Sequence, residues 1–409
     1  MGKLFFNAIA TLIILASGNM QAMAASQEAQ VKELKSKVES LEAELGEMKA
    51  RLDQLLQADS PESKVAELED RLNDVEIQQQ EWESSDSSVH LAGYAAAGYT
   101  NRENEVDSFG GLNFNPIFHY QYKDFLLFES ELEFEIAEDG ETEVALEYAS
   151  IDLLFSDYAT LLAGKFQSPL GQFRQNIHPA WINKFPSAPP GFGHDGAAPT
   201  AEVGLQLRGG FKTEGATRFN YAAYVGNGPE LELNPSGDEI EAVGTEGFTS
   251  NADDNPAYGG RVAVLPIPSL ELGVSGATSR VALDGERDRS YSVLGADFWW
   301  QWMQYQMRGE YVRQEVGSES LSVAPEGQEW ESWYVQGSYR LPSMPWEGVV
   351  RYSDFESTHD DQSQEQWGVG VNYLFASNVI WKLAYEFNDG LTGTSNDSDR
   401  FLTQITYGF

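Results

Sequence analysis

Asp399-Arg400-Phe401-Leu402-Thr403-Gln404-Ile405-Thr406-Tyr407-Gly408-Phe409 is the stretch on which the reading of this chain turns. In an extended strand Phe401, Thr403, Ile405, Tyr407 and Phe409 share one face, and Arg400, Leu402, Gln404, Thr406 and Gly408 share the other. Side chains alternate across a strand with a period of two. Three further segments repeat the pattern. Trp381, Leu383, Tyr385 and Phe387 alternate with Lys382, Ala384, Glu386 and Asn388. Trp367, Val369, Val371 and Tyr373 alternate with Gln366, Gly368, Gly370 and Asn372. Phe219, Tyr221, Ala223 and Val225 alternate with Arg218, Asn220, Ala222 and Tyr224. Segments of about ten residues, with aromatics gathered at their ends, match strands that cross a membrane, apolar toward lipid and polar toward a lumen. An aromatic final residue on such a strand resembles the signal read by the outer-membrane assembly machinery.

Extended back through the chain, the pattern predicts an all-β transmembrane barrel over 89–409. Sixteen strands fit, at 89–99, 112–122, 125–136, 142–154, 157–167, 201–212, 216–226, 257–267, 270–280, 289–300, 303–315, 329–341, 346–356, 365–375, 378–388 and 399–409. Segment 142–154 alternates poorly and is expected to hold a bulge. Fourteen or eighteen strands stay open. Connections after even strands are tight, for example Lys123-Asp124 and Ser343-Met344. Those after odd strands are often long, above all 168–200 and 227–256. Short turns at one rim and long loops at the other are the arrangement of outer-membrane barrels.

The composition agrees. The chain has 409 residues, 26 Lys+Arg against 64 Asp+Glu, and a formal charge of −38, which excludes a basic nucleic-acid footprint. With no Cys, disulfides and thiolate metal sites are excluded. The mean hydropathy of −0.40 suits a barrel, in which only every second strand residue meets lipid.

Residues 1–24 read as a signal peptide: Lys3, an apolar run Leu4–Ser17, then the small-x-small site Ala22-Met23-Ala24. Residues 25–88 read as a periplasmic α-helical coiled coil and linker. Val31, Leu34, Val38, Leu41, Leu45, Met48, Leu52 and Leu55 form an a/d heptad seam. Val65, Leu68, Leu72 and Val75 restart it after a break at Ser60-Pro61. Such a narrow seam needs a partner helix, and the mix of Val and Leu leaves two or three strands open.

The lumen is the candidate site. Glu129, Glu131, Glu133 and Glu135 share a face opposite Phe128, Leu132, Phe134 and Ile136. A carboxylate facing lipid is costly, so the glutamates are assigned to the lumen. Lys165, Arg208, Arg218, Arg261, Arg308, Arg351 and Lys382 are assigned to the polar faces of other strands. Loop 168–200 carries Arg174 and Lys184, six prolines and apolar residues such as Phe173, Trp181, Ile182, Phe185 and Phe192. It is expected either to fold into the barrel, presenting Arg174 and Lys184 to anions, or to cap it. His178 and His194 stand too far from other ligands to argue a metal site. The acidic loop 227–256 lacks the ligand spacing of an EF-hand and reads as a solvated outer loop.

One region carries a family resemblance. Glu147-Tyr148-Ala149-Ser150-Ile151-Asp152, Leu161-Leu162-Ala163-Gly164-Lys165-Phe166-Gln167-Ser168-Pro169-Leu170-Gly171, Asn176–Pro189 and Val203-Gly204-Leu205-Gln206-Leu207-Arg208-Gly209 resemble segments of the phosphate-selective porin (porin O/P) family. Lys165, Pro169 and Gly171 match its "GKF-x-x-P-x-G" pattern. The resemblance implies a sixteen-stranded trimeric porin whose third loop lines the constriction.

The expected function is passive diffusion of small hydrophilic solutes or ions through an outer-membrane porin of a Gram-negative cell. Phosphate-like anions are candidate permeants, and outer-membrane lipid and lipopolysaccharide are the surroundings. No enzyme activity, cofactor or metal is expected, since five His and no compact Ser/His/Asp spacing offer no catalytic set. The acidic wall and the basic loop leave the sign of ion selectivity open. The alternative is a structural or adhesive barrel linking the membrane to the cell wall through its coiled coil.

Overall fold

The computed structural model describes residues 87–409 apart from 104, 105, 138, 157, 194, 195, 245 and 252. The expected signal peptide and coiled coil lie outside the described residues, save Ser87 and Ser88, which already belong to the first strand. The strands are β1 (Ser87–Arg102), β2 (Ser108–Tyr122), β3 (Leu126–Ile136), β4 (Thr142–Ser156), β5 (Ala159–Gln167), β6 (Ala201–Lys212), β7 (Arg218–Gly226), β8 (Glu230–Leu233), β9 (Ile240–Gly244), β10 (Ala257–Ile267), β11 (Leu270–Val281), β12 (Arg289–Trp302), β13 (Tyr305–Val316), β14 (Gln328–Arg340), β15 (Trp346–Ser357), β16 (Gln364–Ala376), β17 (Val379–Gly390) and β18 (Arg400–Gly408).

All but β8 and β9 form one closed sixteen-stranded antiparallel barrel, each strand bonded to its chain neighbours and β18 to β1. Each of the sixteen segments read from alternation coincides with one barrel strand. The β8–β9 ribbon inside 227–256 was not foreseen. An even number of antiparallel strands returns the last strand to the rim where the first began. Lys123, Met303 and Ser343 take left-handed φ of 52°, 53° and 59° in the β2–β3, β12–β13 and β14–β15 connections at that rim. Positive φ lets a short turn follow the right-handed twist of its strands.

Closure uses the last residue. The Phe409 N–H donates to Gly93 O at 2.9 Å, and the Gly93 N–H to Phe409 O at 3.0 Å. The Phe409 ring stacks on Phe114 of β2, 6.1 Å away, so it spans the seam. Phe409→Ala is expected to lower the fraction of protein that migrates as a folded barrel on unheated gels.

The outer face carries exposed apolar side chains such as Val274, Leu294, Val369 and Ile405. Trp302, Tyr305, Tyr339 and Trp346 gather near the short turns, and Tyr311, Trp333, Tyr352 and Trp367 toward the long loops. Trp333, Tyr352 and Trp367 form a continuous ring contact, with centroids 5.1 and 4.9 Å apart. Inside, sixteen strands enclose more space than wall side chains can fill. Loop 168–200 turns into that space. Leu170, Phe173, Ile177 and Phe192 of the loop pack with Leu162, Phe166, Tyr224 and Tyr334 of the wall, and Ile240 and Val243 of β9 join them. The loop is therefore inside the barrel and does not cap it.

Candidate pore constriction

Loop 168–200 is built from its ends inward. The Ser168 N–H donates to Thr200 O at 3.0 Å and closes its neck. Gly171, at φ 81°, makes the turn into the lumen. The first N–H groups beyond it would be unsatisfied, and Glu310 of β13 accepts both, from Gln172 at 3.1 Å and Phe173 at 2.9 Å. A single turn of π-helix follows at Phe173–Ile177. Phe173, Phe192 and Tyr334 then meet edge to face.

The far half of the loop is fixed by the inner wall of β13–β18. Arg308 donates to Asn183 Oδ1 at 3.2 Å. Arg351 donates to Ser187 O, Ser187 Oγ and Ala188 O at 3.0, 2.9 and 3.2 Å. The Phe185 ring lies 4.4 Å from its guanidinium. Lys382 donates to Ala180 O, to Phe185 O at 3.3 Å and to Gln404 at 3.1 Å. Lys184 pairs with Glu347, and Asn372 donates to Lys184 O at 3.1 Å. Arg351 is neutralised by Glu386 at 3.1 Å, which also takes Arg400 at 2.5 Å.

The predicted basic set therefore divides. Arg308, Arg351 and Lys382 face inward but are buried beneath the loop, as donors to it. Exposed main-chain carbonyls inside a barrel need such donors. Arg208 pairs with Asp152 at 2.8 Å, and Arg261 with Asp297 and Glu271 at 2.5 and 2.9 Å. Arg218 is exposed on the inner face at the short-turn mouth.

Lys165 corrects the sequence assignment. It stands opposite Ala149 and Val203, while its neighbours Leu162 and Phe166 are buried in the lumen. Alternation then puts Lys165 on the outer face, not in the pore. Segment 159–167 is apolar at both parities, so its register with β4 and β6 decides the face. A lysine turned to lipid at the bilayer midplane would cost about 2–4 kcal/mol.

The glutamate ladder does face inward. Glu129 lies 3.3 Å from His119. Glu131 is buried and accepts from Tyr94 at 2.8 Å and Asn115 at 3.3 Å. Glu133 and Glu135 follow on the same face. The expected bulge lies here: Glu131 pairs with Tyr148 but Leu132 with Leu146, leaving Glu147 as the extra residue. Arg174, on the loop, is only 6% exposed, and its Nε and Nη2 have no hydrogen-bond partner among the described residues. Burial pulls its guanidinium below the ordinary value, while the carboxylates of Glu147, Glu133 and Glu246 act the other way. Burial likewise lowers Lys184, opposed by Glu347. Glu147, Glu310, Glu347 and Glu386 were missed from sequence. For Glu147 the signal was the broken alternation itself; the others looked like any inward polar residue. Among the described residues no group of three or more His, Asp or Glu could hold a metal ion.

No family model and no curated protein matches the chain. Solved structures match its fold. A loop L8 deletion mutant of the outer membrane protein OmpT of Vibrio cholerae is 13% identical with a TM-score of 0.54, over 80% of this chain and 100% of that one. The outer membrane channel DcaP of Acinetobacter baumannii is 12% identical at 0.54, over 80% and 98%. The anion-selective porin from Comamonas acidovorans is 13% identical at 0.54, over 79% and 100%. At these identities the likeness establishes the porin-type barrel fold.

Proposed function

We propose that this chain is an outer-membrane channel of porin type, a homotrimer through which small hydrophilic solutes or ions diffuse passively, with its N-terminal segment in the periplasm. The observation that carries this reading is the inward fold of loop 168–200, pinned to β13–β18 on one side and bringing Arg174 toward Glu133 and Glu147 on the other. An adhesive barrel needs no such loop. The channel neighbours DcaP and the Comamonas porin, and the trimer form of Vibrio cholerae OmpT, support the same reading.

The charge balance beside the loop is acidic. Lys184 is tied to Glu347, and Arg174 faces the carboxylates of Glu147, Glu133 and Glu246. Charges lining a pore set ion preference, and this balance favours cations. The porin O/P resemblance favours phosphate-like anions instead, and the unpartnered Arg174 N–H groups are the feature that would serve them. Reversal potentials of the full-length protein in planar bilayers under a KCl gradient decide by their sign. Arg174→Ala is expected to shift the potential toward cations, and Glu133→Gln with Glu147→Gln toward anions. No conductance steps in the wild type would leave the adhesive reading in place.

A further inference from the structure

We propose that the β8–β9 ribbon of loop 227–256 is a second filter of the channel, fixed inside the long-loop mouth above loop 168–200, where it narrows the entrance and lines it with carboxylates. The proposal rests on the channel reading above. The inner wall is its starting point. A water-filled lumen is lined by polar side chains. At the long-loop ends of β11–β15, however, the inward residues include Val281, Val293, Val312, Val316, Trp330 and Phe355, and all six are buried. An apolar patch on a wetted wall needs a cover.

The ribbon supplies it. Leu231 pairs with Val243 and Leu233 with Ile240, so the four share one face. Ile240 and Val243 are buried in the same cluster as the wall patch, and Leu231 and Leu233 pack against it. An isolated two-stranded ribbon is marginal in water, so this one depends on the wall. Polar contacts hold both of its ends. At the root, the Asn227 N–H donates to Val203 O at 3.0 Å and Asn227 Nδ2 to Phe248 O at 2.8 Å. Glu246 there bridges to Ala201, beside the neck of loop 168–200. At the far end, His359 Nε2 donates to Ile240 O at 2.9 Å, Gln362 to Glu241 O at 3.2 Å and Gln328 to Glu239 at 3.4 Å.

These contacts fix where the ribbon stands. It leaves the wall between β7 and β10 and is caught on β14 and past β15, four and five strands round the barrel from β10. Loop 168–200 is held deeper, by Arg308 and Arg351 within β13 and β15. Gln328 instead opens β14, and His359 and Gln362 lie beyond the end of β15. The two loops are therefore stacked, and a solute entering from the long-loop side meets the ribbon first. The surface it meets is acidic. Loop 227–256 carries eight Asp and Glu and no Lys or Arg. Glu232, on the face away from the wall, and Glu241, the extra residue of the ribbon's bulge, are both exposed. Fixed carboxylates at a pore mouth favour cations and repel anions.

Two variants of the full-length protein test this in planar bilayers and in liposome-swelling assays with sugars of graded size. In the first, 231–243 is replaced by a Gly-Ser-Gly turn between the paired Glu230 and Gly244. Single-channel conductance is expected to rise, and sugars too large for the wild type to enter. The second, Glu232→Gln with Glu241→Gln, leaves the buried face intact and is expected to shift the reversal potential toward anions. A shortened variant that still forms a heat-modifiable barrel but keeps the wild-type conductance and size limit would overturn the proposal. An unchanged reversal potential in the double glutamine variant overturns it too, whether or not the shortened variant folds. In either case the conductance steps of the wild type leave the channel reading standing, whereas no steps in any of the three proteins sink that reading itself.

Discussion

Arg351→Ala is expected to destabilise the barrel by about 3–5 kcal/mol, the range for breaking one partner of a buried ion pair. Arg351 and Glu386 are both wholly buried, so neither charge can fall back on water. Removing Arg351 also withdraws the donors to Ser187 and Ala188 and the cation over Phe185. Unfolding in urea should report the loss. Single-channel recording should report its consequence, larger and noisier conductance, because the loop loses its fastening to β15. Arg351→Met is expected to lose less, since it leaves a packed apolar chain over Phe185, and Glu386 keeps Arg400 together with its hydrogen bonds from Ser187 and Gln366. If Arg351→Ala leaves both stability and conductance unchanged, the loop is held by other contacts.

The second large effect is expected at the loop's entrance. A Cβ added at Gly171 would lie 1.6 Å from Glu310 Oε1, and the backbone there is left-handed. The conformation alone costs a non-glycine residue about 1–2 kcal/mol. The clash adds to this by driving Glu310 from the Gln172 and Phe173 N–H groups. Gly171→Ala should therefore lower the melting temperature and alter conductance. Glu310→Ala should destabilise as well, by leaving two buried N–H groups unpaired. Because both changes strike one contact, the double variant is expected to lose less than their sum. Strict additivity would mean that the glycine and the glutamate act independently.

These two residues differ in how far the sequence announced them. Gly171 belongs to the segment that resembles porin O/P, and the structure supplies the reason for the glycine, a φ of 81° at the turn into the lumen. Arg351 was placed on a lumen face by alternation, but nothing local said that a loop 164 positions away in sequence would cover it. Lys165 shows the opposite failure. Its strand offers apolar residues at both parities, so local pattern could not fix its face, and pairing with Ala149 and Val203 did.

The sequence by itself located the strand segments, with fourteen or eighteen strands still open beside sixteen, and determined their alternation and the inward glutamate ladder; barrel closure fixed the count at sixteen. The alternation and the ladder follow from a period of two and from the cost of exposing carboxylates to lipid, which act within one strand. Tertiary structure alone decided which charges are spent on holding the loop, which pair across the wall, and which one stands outside. Such choices depend on register between strands and on carbonyls brought by a distant loop. The bulge at Glu147 lies between the two: a break in period was legible, but only the pairing of Glu131 with Tyr148 fixed where the extra residue falls.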